Sequence, residues 1–186
     1  MTTAKYPPRH FDKPSTRSVP VLNANGDVAG TELPEIGPPR TFDPRWPSAL
    51  AAVAANRLTY ARVAQGGLIT GIRLEVGTSS GNISVAVYSP TGSGAAGAPG
   101  VRKSTSGSVA CPSAGVVTVA LPAAVQVEPG DFFALTCDNG TATFRRVTVS
   151  GAFYPHSLYG QMASAHPAPT TIVPADTGGT ILMIGV

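Results

Sequence analysis

Short runs in which apolar and polar residues alternate fill the chain from residue 58 onward, and no other feature constrains the fold as strongly. Side chains of a strand point alternately to the two faces of a sheet, so a period of two predicts strands with one buried face. In LITGIRLEV (68–76), Ile72, Leu74 and Val76 share one face. Similar runs follow with Gly, Pro, Asn and Ser between them, and no sustained helical period competes.

The same pattern predicts about eight short antiparallel strands. In NISVAVYS (82–89) it places Ile83, Val85 and Val87 on the inward face. Ser84, Ala86 and Tyr88 are placed on the outward face, toward solvent. A Gly-, Ser-, Ala- and Pro-rich surface loop is predicted over 89–106. Strands this short with frequent turns predict an all-β fold, an antiparallel β-sandwich of jelly-roll-like type.

The stretch VEPGDFFALTCDN (127–139) concentrates acids, a thiol and two aromatic residues. Glu128-Pro129-Gly130-Asp131 has the residues of a turn, because Pro presets the first corner and Gly accepts a positive φ. Asp138-Asn139-Gly140 predicts a hairpin that pairs 141–149 back onto the preceding strand. The acids therefore fall at opposite ends of one strand, and the stretch is predicted to be scaffold, not an acid–base pair.

The first 47 residues contain nine of the eighteen prolines, which exclude a helix or a continuous ladder there. VLNANGDVAG (21–30) is the one hairpin candidate, with Asn25-Gly26 as its turn. Two interpretations stay open: a disordered tail, or an extended arm, with a reach of about 150 Å, that becomes ordered on a neighbouring subunit. We favour the arm because apolar anchors are scattered along it. The candidate anchors are Tyr6, Phe11, Val21, Leu33, Ile36, Phe42 and Trp46.

Three segments are predicted from these patterns: the arm at 1–47, a short helical connector at 48–57 and the sandwich at 58–186. The connector is predicted helical because Ser48 can cap it and alanine has the highest helix propensity.

Composition excludes several classes of function. The chain carries 13 basic and 10 acidic residues with no block of like charge, so a groove that tracks nucleic-acid phosphates is not expected. It has neither a secretion signal nor an apolar run of about 20 residues, so we expect a soluble protein made in a cytosol. Cys111 and Cys137 lack zinc-site spacing, and buried free thiols are favoured over a disulfide. We expect no metal and no cofactor.

Catalytic motifs are weak. Gly77-Thr-Ser-Ser-Gly81 fits G-x-S-x-G, but a hydrolase elbow needs a strand–turn–helix context, and here two predicted strands flank the motif. His10, His156 and His166 have no metal-ligand spacing. No catalytic residue is predicted. A Ser/His/Asp triad stays open, although nothing in the sequence marks one.

An aromatic segment, FYPHSLY (153–159), precedes the last strand. Exposed aromatic rings stack on sugar faces while polar neighbours bind hydroxyls, so this segment is a candidate glycan-binding site. The favoured alternative is that the rings close one end of the sandwich or a subunit interface. The candidate residues are Phe153, Tyr154, His156 and Tyr159.

The run GNISVAVYSPTG, followed by SGSVACPSAGVVTVALPAAVQVEPGDFFALTCDNGTATFR, resembles a jelly-roll domain of accessory virion proteins in actinobacterial tailed phages. Those proteins are minor tail proteins, fibres or head-decoration proteins. The resemblance covers about residues 58–148 and leaves the Pro-rich arm outside.

The resemblance implies a virion structural role after assembly in the host cytoplasm, a homo-oligomer with a trimer favoured, and no catalytic residues. We expect head decoration through the arm, bound to capsid proteins, because the chain is short and lacks a stalk. The alternative is a minor tail or fibre protein, or a glycan-binding module for host adsorption. No nucleic-acid or membrane partner is expected.

Overall fold

A computed structural model describes residues 19–22, 28–32, 39–41, 48–91, 98–147, 159–163, 166–172 and 180–186. These residues form fourteen strands and no helix. The chain divides into two compact units, Met1–Gly37 and Pro38–Val186. In chain order the strands are β1 (Val19–Leu22), β2 (Val28–Glu32), β3 (Ala49–Ala52), β4 (Arg57–Arg62), β5 (Gly67–Thr78), β6 (Asn82–Thr91), β7 (Ala98–Thr105), β8 (Val109–Ala110), β9 (Gly115–Val127), β10 (Phe132–Cys137), β11 (Thr143–Val147), β12 (Tyr159–Ala163), β13 (Thr180–Ile181) and β14 (Ile184–Gly185).

The first unit contains an antiparallel hairpin. β1 pairs with β2 so that Val19 lies opposite Glu32 and Val21 opposite Gly30. This pairing confirms the hairpin predicted over 21–30. Its turn lies outside the described residues.

The second unit is an antiparallel β-sandwich, as the sequence predicted. One sheet has the order β12-β4-β10-β6-β7, with β8 also paired to β6. We call it the first sheet. The second sheet has the order β13-β11-β5-β14, with β3 paired to β11 and β9 paired to β5. Consecutive strands often lie in opposite sheets, so most of the pairing is between residues far apart in sequence.

The main core lies between the two sheets, where the alternating residues meet. Ile72, Leu74 and Val76 of β5 are buried there, as predicted. Phe133 and Leu135 of β10 reach the same core from the first sheet. Burial of large aliphatic and aromatic side chains on this scale, at about 1.5–3 kcal/mol each, is the main stabilising contribution to the sandwich.

The outer face of the first sheet is also buried, which corrects the prediction that Ser84, Ala86 and Tyr88 face solvent. All three are fully buried. A period of two separates the faces of β6 but does not say what covers the second face. Here the cover includes residues 166–172, which we call the strap. The apolar cluster beneath and within it comprises Leu58, Tyr60, Ala86, Tyr88, Phe132, Ala134, Ala168 and Ile172.

The helical connector predicted at 48–57 is wrong. Ala49–Ala52 form strand β3, whose Leu50 lies opposite Arg145 of β11. Helix propensities differ by less than about 1 kcal/mol per residue, so the ladder with β11 outweighs the preference of alanine. The following turn contains Asn56 at φ 53°, and its N–H donates to the carbonyl of Cys137 at 3.0 Å.

The hairpin predicted at Asp138-Asn139-Gly140 is also wrong, because β10 and β11 belong to different sheets. The side chain of Asn139 accepts hydrogen bonds from the N–H groups of Thr141 (3.0 Å) and Ala142 (3.3 Å). These bonds form a local turn that carries the chain across the sandwich instead of back along β10.

The loop predicted over 89–106 is mostly strand. β6 continues to Thr91, and β7 returns from Ala98 to Thr105 with Pro90 opposite Pro99. Pro is tolerated here because the ladder shifts register twice between β6 and β7, between Val87 and Tyr88 and again between Tyr88 and Pro90.

The boundary between the units lies at Gly37/Pro38, earlier than the predicted end of the arm at residue 47. Residues 39–41 already belong to the sandwich, because Gly185 N–H donates to the Pro39 carbonyl at 2.7 Å and Arg40 bridges Ile184. Among the described residues, no helix is long and apolar enough to cross a membrane.

Candidate functional site

The acidic turn at the start of β10 is structural, as the sequence predicted. Gly130 adopts φ 103°, and Asp131 N–H donates to the Glu128 carbonyl at 3.0 Å. The buried Asp131 carboxylate accepts from Glu128 N–H at 2.8 Å and from Lys103 Nζ at 2.6 Å. With its carboxylate held by this lysine and this backbone amide, Asp131 fixes the turn and ties it to β7.

The opposite end of β10 is built around Asp138. Its carboxylate accepts from the backbone N–H of Asn82 at 2.9 Å and from the Asn82 side-chain amide at 2.7 Å. These hydrogen bonds lower the pKa of Asp138. Gly81 precedes Asn82 at φ 61°, and a Cβ there would lie 1.9 Å from Asn139 Nδ2. The close approach of this turn therefore requires glycine.

His166, at the start of the strap, joins three segments of the chain at this same end. Its Nε2 lies 2.7 Å from Ser108 Oγ, and its Nδ1 lies 3.0 Å from Thr136 Oγ1. Burial lowers the pKa of His166, and the nearby Asp138 carboxylate partly offsets that effect. A neutral ring can donate at one nitrogen and accept at the other, which suits two hydroxyl partners.

Ser108 and His166 are in contact as the nucleophile and base of a hydrolase triad are. The third residue of the group, however, is not the one that such a triad has. Thr136 Oγ1, not a carboxylate, contacts Nδ1, while the Asp138 carboxylate is held by Asn82. A carboxylate in that place would stabilise the imidazolium that forms during proton transfer, and a neutral hydroxyl does so much less. The arrangement works as a clasp that fixes the strap. Sequence reasoning missed the clasp because its members are 58 and 30 residues apart.

The remainder of the strap binds across the first sheet. Tyr88 OH donates to the Pro169 carbonyl at 2.6 Å, and Arg102 Nη1 donates to the Ala168 carbonyl. Its end pairs with β7, where Arg102 N–H donates to Thr170 at 2.8 Å and Ile172 N–H to Gly100 at 3.2 Å. The strap thereby protects part of the β7 edge and covers the apolar face.

The G-x-S-x-G motif lies between β5 and β6, in the two-strand context that argues against a nucleophile elbow. Its central Ser79 donates a hydrogen bond of 2.7 Å to the Cys111 carbonyl. The hydroxyl therefore joins the turn to the segment after β8.

The structure describes few of the predicted site residues. The anchors Tyr6, Phe11, Leu33, Ile36, Phe42 and Trp46 lie outside the described residues, and so do Phe153, Tyr154, His156 and His10. Val21 lies in β1, and Tyr159 begins β12, where its backbone is opposite Ala61 of β4. Whether either predicted set comes together is therefore not tested by the described residues.

Both cysteines are buried free thiols, which confirms the favoured expectation. Burial raises the pKa of Cys137, so its thiolate form is disfavoured. Across the described ranges, no group of three or more His, Cys, Asp or Glu side chains is arranged to hold a metal ion.

The sequence and the fold were also compared with known proteins. No family model matches the chain, and neither the curated proteins nor the solved structures gave a match.

Proposed function

We propose that this protein is a non-enzymatic structural component of a tailed-phage virion, in which the sandwich is displayed from the head shell and the first unit attaches it. The observation that carries the proposal is the division of the chain at Gly37/Pro38. Among the described residues, the buried core cluster between the sheets is formed by side chains from Val53 to Met183. The described core cluster belongs to the second unit, and we assign attachment to the first.

The composition of the first unit supports an attachment role. A Pro-rich segment with scattered apolar residues can spread many small contacts over a large surface, at a cost in ordering entropy. The repeated sites of a virion shell would compensate for weak single contacts through avidity. The β1–β2 hairpin provides a short ordered element within this unit.

The attachment role is tested with virions that lack the protein. Purified full chain and a variant deleted for residues 1–37 are each mixed with these particles, which are then pelleted. We expect the full chain to pellet and the truncated sandwich, shown to be folded by circular dichroism, to stay in the supernatant. Equal pelleting of both proteins would refute attachment through the first unit.

A second candidate is host adsorption through the 153–159 segment. The observation that favours it is that Tyr159 begins β12, at an edge of the first sheet, so the segment leads onto the rim of the sandwich. The test is binding of the full chain to purified host cell-wall glycan, with a Tyr154→Ala, Tyr159→Ala double variant as comparison. Binding that the double variant loses would support adsorption, and absence of binding by the parent would reject it.

A further inference from the structure

Strand β9 is a long edge strand of the second sheet. It runs through thirteen residues, Gly115–Val127, and among the strands the structure describes it pairs with β5 alone. In an antiparallel pair, alternate N–H and C=O groups of an edge strand point away from its neighbour. The outward edge of β9 therefore offers a row of backbone donors and acceptors to another strand.

The core is incompletely covered along this edge. Leu74 and Val76 of the neighbouring strand β5 are each only 2% exposed. Val117 and Val125 of β9 pack against the same core but are only partly buried. On the outer face, Val116 is 68% exposed. One further strand beside β9 would bury apolar surface that the described part of the chain leaves exposed.

The edge has few of the features that prevent strand addition. Lysines, prolines and bulges normally protect an edge, but 115–127 contains no charged residue. Pro122 and the nearby irregularity, where Ile69 pairs with Val125 and Gly71 with Ala120, interrupt only the second half of β9. The first half, VVTVAL (116–121), is uncharged, free of proline and rich in β-branched residues, which favour strand pairing.

We propose that residues 116–120 pair antiparallel with the same residues of a second copy of this chain, across a two-fold axis, to give one sheet that spans two sandwiches. In a register centred on Thr118, Val117 would lie opposite Val119 of the second copy on the core side. Val116 would lie opposite Ala120 of the second copy on the outer side. The segment can pair with itself because the pairing brings no like charges together. A two-fold contact uses the same surface on both chains, so the assembly is complete with two copies.

This inference does not rest on the proposed function. It names a contact for the homo-oligomer expected from the sequence, and gives a two-fold dimer where the resemblance favoured a trimer. It is tested by sedimentation equilibrium of the purified full chain over a range of concentrations, without virions. The test variant is Thr118→Lys, which places two cations opposite each other at the centre of the contact. The controls are Thr118→Val, which keeps a β-branched residue, and Leu68→Lys, which adds the same charge at an exposed position (68%) on β5.

We expect the parent, Thr118→Val and Leu68→Lys to form a dimer with similar dissociation constants. Thr118→Lys should keep the circular dichroism spectrum of the parent and raise the dissociation constant about ten-fold or more. A monomeric parent at all concentrations, or an oligomer of any order that Thr118→Lys leaves unchanged, would overturn the proposal. Neither result affects attachment to the virion, which the pelleting experiment tests separately.

Discussion

Thr41 and Met183 exchange three hydrogen bonds although 142 residues separate them. The Thr41 N–H donates to the Met183 carbonyl at 3.1 Å, and Thr41 Oγ1 donates to the same carbonyl at 3.4 Å while accepting from Met183 N–H at 3.1 Å. Both residues are buried. The contact fastens the first residues of the sandwich to its C-terminal segment.

Replacement of this buried hydroxyl should destabilise the sandwich. Thr41→Val leaves the Met183 N–H without its acceptor, so we expect a loss of about 1–3 kcal/mol in the free energy of unfolding. Thr70→Val is the control, because the Thr70 hydroxyl makes an exposed bond of 3.2 Å to Val186, and its loss should change stability by about 0.5 kcal/mol or less. Urea unfolding measures both. Equal losses in the free energy of unfolding for Thr41→Val and Thr70→Val would contradict a larger stabilising role for the Thr41 hydroxyl.

Two truncations should separate the first unit from the sandwich. Deletion of residues 1–37 removes only the first unit, so the melting temperature should match that of the full chain. Deletion of residues 1–45 also removes 39–41 and their bonds to Met183 and Gly185, so its melting temperature should fall by several degrees. Differential scanning calorimetry provides the comparison. Identical melting of the two truncated chains would place the true boundary after residue 45.

Two glycines with similar φ angles should respond differently to alanine. Gly81 and Gly107 adopt φ 61° and 66°, so either substitution carries a backbone penalty of about 1 kcal/mol. A Cβ at Gly81 would also meet Asn139 at 1.9 Å and Asp138 at 2.1 Å, whereas nothing lies within 4 Å of a Cβ at Gly107. We expect Gly81→Ala to be the more destabilising by about 1 kcal/mol or more. Equal free energies of unfolding for the two variants in urea would contradict this expectation.

Acid should weaken the clasp at His166. Because burial lowers its pKa in the folded protein, the unfolded chain takes up the proton first. The stability contributed by the neutral His166 ring is thus complete above about pH 6.5, the pKa in the unfolded chain. It is lost as the pH falls through the lower pKa in the folded protein. Since Asp138 raises the pKa of His166, Asp138→Asn should lower it further. NMR titration of the ring, assigned with His166→Gln, checks both shifts, and a midpoint above 6.5 would contradict them.

The inward faces of the sandwich could be predicted from sequence because each depends only on a period of two within one strand. Ile72, Leu74 and Val76 illustrate this, since their burial follows from alternation alone. The Glu128–Asp131 turn was predictable for a similar reason, because Pro129 and Gly130 restrict the backbone locally.

The errors arose where distant residues decide the structure. The outer face of β6 is buried by a strap about 80 residues further along the chain, and Tyr88 OH bonds to Pro169 across that distance. Ala49–Ala52 form a strand because β11 lies beside them. The clasp of Ser108, Thr136 and His166 likewise exists only once β8, β10 and the strap have come together.

Immunogold electron microscopy of purified virions, with antibody raised against residues 58–186, tests the central claim most directly. The account predicts gold particles spread over the heads, with labelling lost from virions that lack the protein. Virions that carry no gold would contradict a virion role, and gold confined to the tail would contradict head decoration.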